Sequence, residues 1–196
     1  RGSPSGVVLY VADNGREPNH SAIDEILSAG RALLAVDLRG IGETGSKRGW
    51  GDLFGPDTKD VLTAYLLGRS YVGMRAEDIL RCARWLQSQQ KGPVDLVAVG
   101  HVCVPALHAA ALEPQLFGSI RLVRGLTSWS NVIELGRSRN QLVNTVHGAL
   151  TTYDLPDLAR TLGGRLTIEE PLDALGDPVK TTGNADGTIL KKVLDA

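Results

Sequence analysis

The segment from Val94 to Leu112 constrains this chain most. Val94-Asp95-Leu96-Val97-Ala98-Val99 reads as a buried strand, entered through Gly92-Pro93 and broken at Gly100. His101-Val102-Cys103-Val104 follows, and Pro105 to Leu112 is an alanine-rich helix directly behind the break. A strand that gives way to a helix within a few residues is half of a βαβ unit. Such units build parallel sheets with helices laid on their faces.

The rest of the chain keeps that rhythm. Val7 to Ala12 is a short apolar run ending in the turn cluster Asp13-Asn14-Gly15. Ser21 can cap a helix through Leu27, and Gly30 stops it. Ala32 to Val36 is a second strand, running into the glycine-rich stretch Asp37 to Gly45. Helices are expected over 57–67 and 75–90, the second with Ile79, Ala83 and Leu86 on one face. Ser119 to Val123 and Arg165 to Glu169 read as strands around a helix at Leu155 to Leu162. The stretch 181–187 reads as a polar loop, and 189–194 as a short terminal helix. The expected architecture is α/β: a mostly parallel β-sheet flanked by helices on both faces, in a single domain over 1–196. In open sheets of this kind ligands meet the carboxyl ends of the strands, so the loops after Ala12, Val36, Val99, Val123 and Glu169 matter most.

Composition removes several functional classes. The formal net charge is -1 and aromatic residues make up 5% of the 196 residues, which argues against nucleic acid and against an anionic membrane surface. No apolar run approaches the roughly 20 residues that span a bilayer, and no signal peptide is visible. The two cysteines, Cys82 and Cys103, lie in apolar stretches and are read as buried thiols. No Cys/His cluster has metal-ligand spacing, so neither a metal nor another cofactor is expected. Glycines 40, 42 and 45 lack the Gly-Lys-Ser/Thr ending of a phosphate loop and the spacing of a dinucleotide fingerprint. Arg75 and Asp78, three apart on a helix, are expected to form a structural ion pair.

The junction at Gly100 has the strand–turn–helix context of a nucleophile elbow, in which a strained turn lifts one side chain above the sheet. Four stretches together resemble the α/β-hydrolase superfamily, in particular its acetyl xylan esterase-like branch. They are Val36-Asp37-Leu38-Arg39-Gly40-Ile41-Gly42-Glu43-Thr44; Leu66-Leu67-Gly68-Arg69-Ser70-Tyr71-Val72-Gly73-Met74-Arg75 with Asp78; Gly100-His101-Val102-Cys103-Val104; and Tyr153-Asp154-Leu155-Pro156-Asp157-Leu158 leading to Pro171-Leu172-Asp173-Ala174. The resemblance covers about Val7 to Asp173. It implies an α/β-hydrolase fold lacking its first strands, and a soluble, secreted or periplasmic setting. The partner it implies is an acetylated carbohydrate or another ester, hydrolysed through serine, histidine and an acid.

Carried over position by position, the nucleophile falls on Val102 and the second elbow glycine on Val104. Valine has no nucleophilic atom. The acid falls on Asp173. The backbone N–H of Cys103 would face the oxyanion, with a second donor from the turn that holds Asn14 and Gly15. The base should follow the acid, yet no histidine follows His147. His101, beside the nucleophile position, and His147, in the loop after the fourth strand, are candidates for binding. His20 and His108 read as surface or packing residues. The expectation is therefore a hydrolase-fold domain resembling acetyl xylan esterases but catalytically degenerate. One alternative is an active hydrolase that uses Cys103, or whose site is completed by further chain. Another is a non-enzymatic binding or assembly domain of a larger parent protein. An uncovered sheet edge makes a homodimer an expectation as well.

Overall fold

The computed structural model describes residues 6–16, 20–45, 54–55, 57–90 and 92–179. The strands are β1 (Val7–Ala12), β2 (Ala32–Val36), β3 (Val94–Val99), β4 (Phe117–Val123) and β5 (Leu166–Glu169). They form one sheet in the order β2-β1-β3-β4-β5, and every pairing is parallel. Between them run α1 (His20–Ser28), α2 (Thr58–Leu66), α3 (Tyr71–Gln89), α4 (Cys103–Leu112), α5 (Trp129–Leu135) and α6 (Leu155–Leu162).

Alternation along the strands sorts the two faces. Leu9, Val11, Leu96, Ala98, Ile120 and Leu122 point to one side and join Ile79, Ala83, Ala106 and Ala110 of α3 and α4 in the main core. Small residues on α4 let it lie close to both β3 and β4. α1 packs beside β2, and on the other face Val97, Val99 and Val123 are half-buried and Arg121 is exposed. β1 sits inside the sheet and is buried at all six positions.

The helix starts follow their caps. Ser70 accepts the Gly73 N–H at 3.1 Å, so α3 begins at Tyr71, one turn before the expected Arg75. α5 was not expected from the sequence. Ser128 caps it by accepting the Asn131 N–H at 3.1 Å, and Gly136 at φ +62° ends it. The Asp154 carboxylate fixes two helix starts at once. It accepts the N–H groups of Trp129 and Ser130 at 2.7 and 3.0 Å, and it caps α6 through Leu155.

The expected pairing of Arg75 with Asp78 is corrected. Arg75 is 1% exposed, with Nη2 on Asp57 at 3.1 Å and Nε on the Arg39 carbonyl at 3.0 Å. Its guanidinium stacks on the Tyr71 ring at 4.6 Å, and burial pushes the Tyr71 hydroxyl up to about 12. Asp78 instead takes Arg39, whose Nε donates at 2.6 Å. Both residues of α3 thus clamp the segment after β2. Partners that can satisfy a buried guanidinium outweigh a solvent-side pair worth a few tenths of a kcal/mol. The expected polar loop at 181–187 and terminal helix at 189–194 lie outside the described residues.

Candidate functional site at the end of the central strands

β3 ends at Gly100, whose φ is +77°. A Cβ there would lie 1.9 Å from Oδ2 of Asp13, so only glycine allows this approach. Asp13 follows β1, and its carboxylate accepts the His101 N–H at 2.9 Å. The turn that follows is a relaxed one. Gly100 to Val102 form a single 3-10 turn that runs directly into α4, and the Cys103 N–H donates to the Gly100 carbonyl. Val102 has φ -74° and ψ -6°, ordinary right-handed backbone, and its side chain is fully buried in the core. The left-handed residue of this junction is instead Gly100, two residues before Val102 and without a side chain to present.

The two residues after Val102's neighbour His101 are therefore inward-facing. Cys103 is 3% exposed, and its thiol donates to the carbonyls of Ala98 at 3.3 Å and Val123 at 3.4 Å. Burial pushes that thiol well above its usual range. The Cys103 N–H, expected to face an oxyanion, is engaged within the turn.

His101 is the elbow residue that reaches the cleft above the sheet. Its Nδ1 lies 3.4 Å from the Asn144 side-chain amide. Burial lowers its pKa against the opposing pull of Asp13, so the ring is neutral at neutral pH. The cleft has a volume of about 720 Å³, and Asn14, Arg124, Asn140 and Leu172 also line it. A smaller pocket of about 170 Å³ adjoins it, where His101 and Asp13 meet Arg75 and Asp57.

The remaining expected site residues divide. Gly15 is buried in the turn after β1, at φ +91°, against Asp37 and Gly42. Asp173 is half-buried, and its Oδ1 accepts the N–H groups of Leu175 at 2.8 Å and Asp177 at 2.9 Å, closing a loop. Its neighbours Leu172 and Leu175 line the cleft. His147 lies on another face, with its ring 5.9 Å from Tyr65 in an apolar groove beside α2. His108 donates from Nδ1 to the Val104 carbonyl at 2.8 Å and accepts the Tyr153 hydroxyl on Nε2 at 2.9 Å, within a ring cluster that includes Trp129. Among the described residues no group of three or more His, Cys, Asp or Glu comes together to hold a metal, and no helix is long and apolar enough to cross a membrane.

Sequence reasoning missed Asp13 and Arg124. Asp13 had a signal, an acidic residue directly after a central strand. Arg124 had only its place after β4.

The strand order settles the architecture. Its two outward-running halves meet at β1 and β3, and the cleft opens at their carboxyl ends. Solved structures share this arrangement. An acetyl xylan esterase from Paenibacillus sp. R4 is 17% identical over 90% of this chain and 62% of its own, with a TM-score of 0.56. This is the α/β-hydrolase fold. BpoC of Mycobacterium tuberculosis H37Rv, named as a non-heme bromoperoxidase, matches over 99% of this chain and 92% of its own, at 13% identity and a TM-score of 0.51. Est1E from Butyrivibrio proteoclasticus, solved with ferulic acid bound, matches over 99% and 88% at 8% identity and a TM-score of 0.51. The chain spans less than two thirds of the length of the first solved structures it matches, for example 38% of a thioesterase domain from the curacin biosynthetic pathway at 20% identity and a TM-score of 0.45. No family model and no curated protein matches the sequence. In α/β-hydrolase terms the junction at Gly100 is the elbow, and the cleft is the place where such folds carry their sites.

Proposed function

We propose that this chain is an α/β-hydrolase-fold domain, similar to acetyl xylan esterases, that does not carry out acyl transfer at its elbow and serves as a binding or assembly domain. The observation that carries this reading is the strand-to-helix junction: its left-handed residue is Gly100, which has no side chain, and Val102, to which the sequence motif assigns the nucleophile, is fully buried on right-handed backbone. Three further features support it. The Cys103 N–H is held by Gly100, so one oxyanion donor is spent. The Asp13 carboxylate lies against the same turn. A second negative charge brought to about 4 Å from it would be opposed by about 1 to 4 kcal/mol, depending on solvent exposure. The Cys103 thiol is buried and donates to two carbonyls, which makes it a poor substitute nucleophile.

Hydrolysis of 4-nitrophenyl acetate tests the reading, with wild type, Val102→Ser and Cys103→Ala assayed side by side. The expected result is no enzyme-dependent turnover in any of the three. Wild-type turnover that vanishes in Cys103→Ala would establish a cysteine hydrolase instead. Saturable turnover in Val102→Ser would show that a base and an oxyanion site persist, and the reading would fall.

A further inference from the structure

The described residues include three non-glycine positions with left-handed backbone: Arg124 at φ +58°, Asn140 at φ +56° and Glu170 at φ +47°. All three line the one cleft above β3, β4 and β5. Backbone of this kind is unfavourable for a side-chain-bearing residue and gathers where a site holds groups in place. Arg124 and Glu170 end the adjacent strands β4 and β5. Arg124 still donates its N–H to the Glu169 carbonyl at 2.9 Å, after which Leu126 and Leu172 resume the parallel pairing. The paired kinks set Arg124 at the cleft wall without breaking the sheet.

The charges there are not balanced by one another. Arg121 is occupied by a two-pronged pair with Glu169, at 2.7 and 2.8 Å. Arg124 and Arg139 both line the cleft, and neither guanidinium has a hydrogen bond or ion pair among the described residues. The Asn140 side-chain oxygen, between this cleft and the inner pocket, is buried without a partner. The His101 ring lines the cleft from the elbow side. Two guanidiniums, an imidazole and an unmatched amide acceptor around one cavity suit a ligand that has both an anionic group and a donor.

We infer that this cleft binds a small molecule bearing a single carboxylate, held by Arg124 and Arg139. One negative charge is favoured over two because Asp13, Glu25 and Glu170 line the same cleft and oppose a dianion such as phosphate. The inference deepens the non-catalytic reading and rests on it in one respect: the bound carboxylate is held rather than formed there.

The test is titration of the isotope-labelled full chain, followed by the His101 ring and arginine Nε–H resonances. The probes are acetate and benzoate, their neutral amides acetamide and benzamide, and inorganic phosphate, at fixed ionic strength. The carboxylates are expected to saturate with Kd on the order of millimolar, benzoate tighter than acetate, while the amides and phosphate bind at least about tenfold more weakly. Arg124→Gly keeps the backbone its φ prefers, so it should fold at least as stably as wild type yet bind benzoate about tenfold more weakly. Arg139→Gln should weaken it by a similar factor. Equal binding of amides and carboxylates, tighter binding of phosphate, no saturable binding, or wild-type affinity in both variants would each overturn the inference. Turnover of 4-nitrophenyl acetate, measured on the same samples, fails separately. It would remove the non-catalytic reading and leave the benzoate result standing on its own.

Discussion

The Asp13 carboxylate accepts the His101 N–H at 2.9 Å and fills the space that a side chain at position 100 would need. The end of β1 and the start of the elbow are thereby locked together, 88 residues apart in sequence. Gly100→Ala is expected to destabilise the fold by about 2 to 4 kcal/mol, from a left-handed alanine and a displaced carboxylate together. Combining it with Asp13→Ala relieves the clash, so the double variant should lose less than the two single losses added. Urea denaturation of the four proteins reads this directly, and strict additivity would count against the lock.

Arg75 is expected to be the most sensitive charged position. Arg75→Met leaves the Asp57 carboxylate without its guanidinium and the Arg39 carbonyl with only the Tyr71 hydroxyl, at about 3 to 5 kcal/mol. Arg75→Lys keeps the charge but has no fork to reach both acceptors and no planar group to stack on Tyr71, so it should recover only part of that loss. A fully restored urea midpoint in the lysine variant would mean that the charge alone matters.

Thiol chemistry should separate the two cysteines. Cys103 is buried with its thiol raised, while Cys82 is half-buried and raised mainly by burial. A disulfide reagent such as Ellman's is expected to consume at most one thiol per native chain, with the second reacting only on unfolding. Rapid modification of Cys103 in the native protein, located by mass spectrometry, would contradict its position beneath the elbow.

Stability should fall on mild acidification. His101 and His108 are both held below their ordinary pKa in the fold, chiefly by burial. In the unfolded chain each protonates near pH 6.5. Below that value the unfolded state binds more protons than the native state, so their contribution is fully present above about pH 6.5 and is lost as pH falls toward the folded values. The urea midpoint of wild type is expected to drop between pH 7 and pH 5.5. A double variant, His101→Asn with His108→Asn, should show a shallower slope. A flat wild-type profile would mean the rings protonate without penalty.

Much of the frame was legible because it is local. The strands at Val7–Ala12, Ala32–Val36 and Val94–Val99 stand where their apolar runs begin and end; β1 and β3 lie inside the described sheet, where a parallel strand is covered on both faces and favours apolar residues. α5 was missed although Ser128 and Gly136 mark its ends. Its seven residues bury only Trp129, too little to show a helical period. The site was less legible because its contacts are long-range. Nothing near Asp13 in sequence announces Gly100, and the spacing of Arg75 and Asp78 suggested a pair that Asp57 and Arg39 take apart. The left-handed backbone of Arg124 and Glu170 has no sequence signature, since neither is a glycine or asparagine.

The relaxed backbone at Val102 also bears on how such a domain could change over generations. Installing a hydroxyl there supplies an atom but leaves it in the core, under a turn whose amides are already committed. The backbone would have to be re-strained and Asp13 displaced before that atom met solvent. On the non-catalytic reading proposed above, each of these steps alone costs stability and yields no activity for selection to favour. An evolving population, or a laboratory library built on single substitutions, therefore faces a valley rather than a slope. Routes to a working nucleophile on this chain should begin from libraries that vary positions 13, 100 and 102 together.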